Sequence, residues 1–284
     1  MPDNFQTIAD YVRYSFSRLN KEAVFFGHGT DNSWDEAVNL VLQMLDLPWD
    51  FSKDMWHCRL TQEERKMILE ALDKRINQRL PLPYITHQAW FCGFPFYVDE
   101  RVLIPRSPIA ELIENNFAPW ADFETSPPEF ILDLCTGSGC IGLACALNYE
   151  DADVDMIDIS EAAIQVANKN ILAYDLQNRV RTIQSDGFAS LDQDYKHKYS
   201  LIVSNPPYVD QSDFTNMPDE YKAEPELGLV SGKDGLDLVR KILAQAADYL
   251  TADGLLVVEV GNSWQALEDA YPNVPFTWVD FEFG

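Results

Sequence analysis

Asn205, Pro206, Pro207 and Tyr208 form the stretch best suited to chemistry, and they follow an apolar run of strand length. The two prolines remove two backbone donors and fix φ at about −65°, so the chain stays stiff and its carbonyls stay free to accept. Asn205 precedes a proline and is pushed toward extended geometry. Its side-chain carbonyl and the carbonyl of Pro206 then form a fixed pair of acceptors. Such a pair suits a planar NH2 group, either an amide or an aromatic exocyclic amine, with Tyr208 as an aromatic wall. A proline-rich exit turn is the alternative for Asn-Pro alone, but the complete tetrapeptide favours a catalytic edge.

A second candidate site is a glycine-rich loop. Gly137, Gly139 and Gly142 spell GxGxxG after a predicted strand, and Asp158 ends the next one. This pattern alone is typical of dinucleotide sites, in which the acid holds ribose hydroxyls. Asp133, within DLCTGSG, favours S-adenosylmethionine instead, because an acid can face the ammonium of that cofactor. We predict a ribose contact for Asp158 rather than a place in a solvated acidic cluster.

Asp186 is interpreted as an acceptor for the adenine amine, with a helix cap as the alternative. The predicted cofactor-binding residues are Asp133, Cys135, Thr136, Gly137, Ser138, Gly139, Asp158, Ile159, Asp186, Gly187, Phe188 and Asn205.

Short apolar strands alternate with amphipathic helices from residue 129 onward. The strands are predicted at FILDL, DVDMID, VRTIQ, LIVSN, LLVVEV and FTWVDFEF. This alternation predicts an α/β fold with a doubly wound, mostly parallel sheet. Such sheets bind ligands at the carboxyl ends of their strands, where the glycine loop, Asp158, Asp186 and Asn205 all fall.

The rest of the chain is predicted to form the structure that supports these candidate sites. Residues 1–87 are predicted to form a helical domain, with capping boxes at Ser33–Glu36 and Thr61–Glu64. Residues 88–128 are predicted to form a hairpin around Gly93, a helix that starts near Pro108, and an acidic, proline-rich linker. Residues 129–284 make the α/β domain.

The chain is strongly acidic, with 46 acidic and 21 basic residues and a net charge of −25. This charge disfavours general nucleic-acid binding. The negative charge would attract a basic protein partner, and simple solubility is the alternative explanation.

The 5 cysteines lack any spacing typical of zinc, so no metal is expected. Reduced thiols, no signal peptide and no apolar run long enough for a membrane indicate a cytoplasmic protein.

VLIPR, DLCTGSG and NPPY occur in this order, and together they resemble the class I protein-glutamine methyltransferases. The segments PLPYITHQAWFCGFPFYVDERVLIPRSPIAELI and NPPYVDQSDFTNMPDEYKAEPELGLVSGKDGL look like the branch that modifies large-subunit ribosomal protein L3. The resemblance implies S-adenosylmethionine as donor and a glutamine amide of a basic ribosomal protein as acceptor. It also implies a Rossmann-like methyltransferase domain over residues 129–284. The family continues past FEFG with a turn and a final strand, so we expect the last hairpin to lack its second arm.

The resemblance implies that Asn205 and Pro206 accept hydrogen bonds from the two amide hydrogens of the acceptor. Pro207 and Tyr208 then shape a narrow slot, and no strong base is needed.

Gly187 and then Phe188 follow QSD, where release-factor enzymes commonly have a tryptophan, which puts adenine stacking there in doubt. Glu220, Tyr221, Glu224 and Glu226 either guide a basic partner or form an acidic surface loop, and Arg106 is read as a structural anchor.

Other functions stay open at this point. IPRSPIAEL differs from the IPRP-containing pattern of the release-factor branch, which makes release factors the second choice of acceptor. An adenine amino-methyltransferase could use the same tetrapeptide, although the charge argues against it. An NAD-dependent oxidoreductase leaves NPPY unexplained. A non-catalytic cofactor-binding protein would result if the shortened end weakens the sheet.

Overall fold

The computed structural model describes residues 5–281, and the chain divides into two compact units. The first contains the residues up to Gln88 together with Pro218–Ala223. The second contains Ala89–Met217 and the residues from Glu224 onward. The hairpin and the segment after it, residues 89–128, therefore belong to the second unit.

The first unit is built from helices. They are α1 (Ile8–Lys21), α2 (Ser33–Met44), α3 (Gln62–Asn77) and α4 (Leu82–Thr86). Apolar side chains at helical spacing, among them Ile8, Val12 and Leu19, form its core. This unit carries none of the predicted site residues.

One of the two predicted capping boxes is confirmed and the other is wrong. Thr61 and Glu64 cap α3 reciprocally. Asn32 rather than Ser33 caps α2, because its side chain accepts from the backbone of residues 34 and 35. Glu36 is instead buried and pairs with the Arg75 guanidinium, which is 1% exposed. A buried guanidinium needs an anionic partner, and this need overrides the local cap.

Residues 218–223 complete the same buried network. The Glu220 carboxylate accepts from the backbone N–H of Phe25 at 3.0 Å and lies 3.4 Å from Arg75. The Tyr221 ring packs on His28 with 4.5 Å between the ring centroids. Glu220 is thus buried and paired, so its charge does not face solvent as an acidic surface loop would require.

The second unit contains a parallel sheet in the order β5-β4-β3-β6-β7. Its strands are β3 (Phe130–Leu134), β4 (Asp153–Asp158), β5 (Val180–Gln184), β6 (Tyr199–Ser204) and β7 (Leu250–Val258). The strand order reverses between β3 and β6, which is the topological switch point of a doubly wound fold. The predicted α/β class is confirmed.

Helices cover both faces of this sheet. The helices of the second unit are α5 (Ile109–Glu114), α6 (Cys140–Asn148), α7 (Glu161–Ala173), α8 (Gln211–Asn216), α9 (Asp237–Gln245) and α10 (Trp264–Ala270), and of these α5, α6, α7 and α9 contribute side chains to the cores on the two faces. Alternate strand residues face opposite ways. Ile131 and Val203 pack with α5, α6 and α7, whereas Leu132 and Ile202 pack with α9. Burial on both faces agrees with the mostly apolar centres of β3 and β6, the two middle strands.

The hairpin predicted around Gly93 is confirmed as β1 (Ala89–Phe91) paired with β2 (Phe94–Phe96). Its buried rings belong to the same core as α6. The segment read as a linker also lies against this core, because Phe123 contacts the rings of Phe117 and Tyr149.

The strand predicted at FTWVDFEF is wrong for residues 276–281, and the last two of its residues lie outside the described residues. Side chains rather than ladder hydrogen bonds hold this stretch. Val279 and Phe281 pack on the core, and the Trp278 indole donates to Glu268 at 2.7 Å. None of the helices between residues 5 and 281 has the length and apolar character that crossing a bilayer requires.

Candidate active site

A cavity of about 360 Å³ opens at the carboxyl ends of β3, β4, β5 and β6. Parallel pairing brings Leu134, Ile157, Ile183 and Ser204 to one level of the sheet, so the residues that follow them meet at one edge. The predicted site residues that line the cavity are Cys135, Thr136, Gly137, Ser138, Asp158, Ile159, Asp186, Gly187, Asn205 and Pro207.

The glycines of the loop serve different purposes. Gly137 has φ +56°, and a Cβ there would meet no atom within 4 Å, so its backbone stays open toward the cavity. A Cβ on Gly142 would lie 2.7 Å from the Met156 sulfur. Gly142 therefore lets α6 pack closely on β4, which is a structural role.

Asp133 is enclosed beneath this loop and does not line the cavity. Its Oδ2 accepts from the Thr136 hydroxyl at 2.5 Å and from the Gly142 N–H at 2.9 Å. Its Oδ1 has no hydrogen-bond partner among the described residues. Burial raises the pKa of this carboxyl to about 7. These hydrogen bonds show that Asp133 shapes the loop, and its expected contact with the cofactor stays a prediction.

Asp158 lies where the sequence predicts it, at the end of β4 and on the cavity wall. Its carboxylate accepts from the backbone N–H groups of Gly137 and Ser160, each at 2.9 Å. Burial raises the pKa of this carboxyl against those hydrogen bonds. A carboxylate in this position can also accept from hydroxyl groups of a ligand in the cavity.

Asp186 and Phe188 differ in their surroundings although they are close in sequence. Asp186 lies on the rim of the cavity, and its carboxylate is 3.2 Å from the Lys241 ammonium. Phe188 is 2% exposed and stacks on Tyr249 at 4.5 Å between ring centroids. The structure corrects the predicted cofactor contact of Phe188, because both faces of a core ring are occupied by protein.

Asn205 follows β6 directly and lines the cavity. Its side chain makes no hydrogen bond to any other residue within 5–281, so both its carbonyl and its NH2 group can engage a ligand. Pro207 lines the cavity beside it, whereas Pro206 is buried and Tyr208 lies behind the wall. The side chains of the tetrapeptide are thus split between the cavity, which Asn205 and Pro207 line, and the protein interior.

Tyr208 faces a carboxylate that the sequence reasoning missed. Its hydroxyl donates to Glu259 Oε1 at 2.7 Å, and the Ser107 hydroxyl donates to Oε2 at 2.5 Å. Glu259 directly follows β7, as Asn205 follows β6, and a polar residue after an apolar strand is the signal that could have found it. Burial raises the pKa of this carboxyl.

Arg106 closes another part of the wall. Its guanidinium forms two hydrogen bonds with Glu224, at 2.6 and 2.7 Å, and the Glu224 side chain is 0% exposed. The pairing supports the anchoring role expected for Arg106. Glu224 is therefore not an exposed charge that could guide a basic partner.

Asn170, on α7, is a second residue that the sequence reasoning missed. Its amide donates to the carbonyls of Ser138 and Tyr97 and accepts from the Tyr97 N–H at 2.8 Å. It therefore ties the exit of the β1–β2 hairpin to the glycine loop. An asparagine inside an amphipathic helix gives no local signal of this role.

Comparison with known proteins relates the chain to methyltransferases by sequence. The family described as the methyltransferase small domain matches residues 121–219. The ribosomal protein uL3 glutamine methyltransferase of Francisella tularensis is 50% identical over 282 residues, which covers 99% of this chain and 88% of that protein. The enzyme of the same name from Neisseria gonorrhoeae is 45% identical over 278 residues, covering 98% and 91%. Among solved structures, the ribosomal protein L11 methylase from Lactobacillus delbrueckii subsp. bulgaricus matches with a TM-score of 0.39 and 17% identity, covering 58% of this chain and 65% of that one.

The parallel sheet and the glycine loop at its switch point define a class I methyltransferase with a Rossmann-like fold. It is an enzyme that uses S-adenosylmethionine. The chain belongs to the family of ribosomal protein uL3 glutamine methyltransferases.

The cavity fits that cofactor on chemical grounds. Gly137 leaves space at the loop, and Asp158 offers a carboxylate to hydroxyl groups. The basic residues that line the cavity are each paired with a carboxylate, whereas Asp158 accepts from backbone N–H groups and can also face a cationic ligand.

Proposed function

We propose that this enzyme transfers the methyl group of S-adenosylmethionine to the side-chain amide nitrogen of a glutamine in ribosomal protein uL3. The observation that carries the proposal is the Asn205 side chain, which lines the cavity and is not engaged by other residues within 5–281. Relatives that share 45% identity or more over nearly the whole chain bear that name, and this supports the choice of acceptor.

The cofactor is held by the residues at the ends of β3, β4 and β5 in this proposal. The open backbone at Gly137 admits it closely, Asp158 accepts from its ribose hydroxyls, and Asp186 accepts from its adenine amine. The cofactor supplies a methyl group on a positively charged sulfur. Residues 135–138 form the cavity wall on this side.

Asn205 and Pro206 act on the acceptor amide. An amide nitrogen is a poor nucleophile because its lone pair is delocalised into the carbonyl. The Asn205 side-chain carbonyl and the Pro206 carbonyl accept its two hydrogens, which raises electron density on nitrogen and fixes its orientation. Holding two reacting groups in line contributes on the order of 7–11 kcal/mol. The nitrogen loses its extra proton to water after methyl transfer, when it is positively charged and acidic, so no strong base is required.

The net charge of −25 fits a basic protein as the acceptor. Glu220 and Glu224 do not contribute an exposed charge to this attraction, because both are buried and paired. The attraction then arises from the many other acidic residues. We place the enzyme in the cytoplasm, where ribosomal proteins are synthesised, and we expect no general nucleic-acid binding.

Transfer of radiolabelled methyl groups tests the proposal directly. Purified ribosomal protein uL3, peptide chain release factors and DNA are incubated side by side with the enzyme and labelled S-adenosylmethionine. We expect label in uL3 alone, and we expect mass spectrometry to place it on a glutamine. Label that enters release factors or DNA in preference to uL3 would contradict the proposal. Asn205→Ala serves as the inactive control.

A further inference from the structure

We propose that Glu259 is a positioning residue that holds Tyr208 in place for methyl transfer and ties it to Ser107, which lines the cavity. This inference rests on the proposed function of Asn205 and Tyr208. Nothing in the motif NPPY itself points to Glu259, which lies far along the chain at the end of β7.

The backbone places Glu259 beside the catalytic turn. Ser204 pairs with Val258 in the β6–β7 ladder, and the Glu259 N–H donates to the Ser204 carbonyl at 3.0 Å. Asn205 and Glu259 are therefore the next residues on two adjacent strands. Any shift of β7 relative to β6 would therefore change the position of Glu259 relative to Asn205.

The Glu259 carboxylate connects two segments. Oε1 accepts from the Tyr208 hydroxyl at 2.7 Å and Oε2 accepts from the Ser107 hydroxyl at 2.5 Å. Ser107 lines the cavity and also accepts from the N–H of Ile109 at the start of α5. Hydrogen bonds to a carboxylate are about twice as strong as neutral ones, so this bridge is stiff.

The surroundings of Tyr208 leave it little other freedom. Its carbonyl accepts from the Ser263 hydroxyl at 3.1 Å. A Cβ on Gly261 would lie 2.5 Å from the Tyr208 ring, and one on Gly235 would lie 2.1 Å from the Tyr208 carbonyl. The Tyr208 backbone and the ring atoms nearest Gly261 are therefore closely packed, and the bond to Glu259 fixes the hydroxyl end. A ring fixed in this way presents a constant wall to the neighbouring Asn205 and Pro207.

Glu259→Gln tests the inference, because it keeps the size of the side chain but leaves one oxygen that accepts hydrogen bonds instead of two. We expect kcat to fall roughly ten- to one-hundredfold, the range that one hydrogen bond to a charged group supports. We expect KM for S-adenosylmethionine to stay within about twofold, because Glu259 lies outside the cofactor wall. In a Tyr208→Phe background the same substitution should cost no more than about twofold in kcat, since Glu259 acts through that hydroxyl.

Tyr199→Phe provides the matched control. Tyr199 donates to Asp155 at 2.7 Å, the same geometry in the same unit, but it lies at the amino end of β6, away from the cavity. Both Tyr→Phe variants should lower thermal stability, whereas only Tyr208→Phe should lower kcat. Full activity of Glu259→Gln, or an equal loss in both backgrounds, would overturn the inference.

Two other measurements test the inference when Glu259→Gln does not fold or when the enzyme does not methylate uL3. If Glu259→Gln does not fold, the comparison of Tyr208→Phe with Tyr199→Phe takes its place, and an unchanged kcat for Tyr208→Phe overturns the inference. If the wild type does not methylate uL3, the proposed function fails separately. The coupling between Glu259→Gln and Tyr208→Phe is then measured by denaturant unfolding without any substrate, and additive effects overturn the inference.

Discussion

The Arg106 guanidinium and the Glu224 carboxylate form a bidentate ion pair, with nitrogen–oxygen distances of 2.6 and 2.7 Å. The pair joins the segment before α5 to the loop that follows NPPY. Arg106 is one-quarter exposed and Glu224 is fully enclosed. A buried carboxylate such as that of Glu224 needs a cationic partner, because a buried charge without one costs several kcal/mol of folding stability.

Glu224→Gln is expected to lower the free energy of unfolding by about 2–3 kcal/mol, since it leaves the guanidinium with a neutral partner. Denaturant titration measures the loss. Asp234→Asn is the control, because Asp234 forms a similar two-bond pair with Arg240 but is exposed. We expect at most about 1 kcal/mol there. Equal losses for the two variants would show that burial does not determine how much the Arg106–Glu224 pair contributes to the free energy of unfolding.

Asn205→Ala is expected to reduce turnover by at least about a hundredfold, because orienting the acceptor amide is the main contribution of this residue. Cofactor affinity should stay within a few-fold, since the other lining residues remain. Single-turnover methyl transfer and calorimetric titration with S-adenosylmethionine measure the two quantities. An Asn205→Ala enzyme with substantial turnover would rule out the role assigned to this side chain.

Gly142→Ala is expected to destabilise the second unit by about 1–3 kcal/mol, because the new methyl group would collide with Met156. Helix propensity alone favours alanine by about 1 kcal/mol, so a net loss must come from the collision. Gly228→Ala is the control, since its nearest contact would be 3.8 Å away. Met156→Val should restore part of the loss in the Gly142→Ala background, and no recovery there would argue against a local clash.

Asp99 makes the stability of the second unit depend on pH. Hydrogen bonds from the Arg101 guanidinium, and then from the Tyr97 hydroxyl, lower the pKa of Asp99 to about 2 against the cost of burial. Because its pKa in the folded protein is lower than in the unfolded chain, this carboxylate stabilises the fold above about pH 4. That contribution is lost as the pH falls through about 2.

Asp99→Asn should therefore cost about 1–2 kcal/mol at pH 7, a discounted value because the Arg101 side chain is 36% exposed. The difference from wild type should shrink between about pH 4 and pH 2. Urea unfolding at several pH values measures it. A difference that stays constant over that range would assign the loss to packing rather than to charge.

Local sequence patterns were sufficient for much of the fold. FILDL, DVDMID and VRTIQ coincide with β3, β4 and β5, because short segments rich in apolar and β-branched residues between turn residues favour strands. The capping box at Thr61 is equally local. The cavity at the strand ends followed from topology, since parallel strands must end at one edge.

The failures share one cause. The Ser33 cap is lost because Glu36 pairs with Arg75, and Glu220 joins the same pair from 145 residues away. Phe188 turns inward because Tyr249 offers it a stacking partner. In each case a contact between residues distant in sequence is stronger than the local preference, and no short pattern records such a contact.

The sequence by itself determined the class of fold, the glycine loop and the strand-end position of Asn205, because periodicity and strand polarity are local properties. Only the tertiary structure decided how these parts are held. Asp133 was found beneath the loop, Asn170 between the hairpin and the loop, and Glu259 behind Tyr208. Buried polar groups must find partners wherever the folded chain provides them, and that choice depends on the whole packing arrangement.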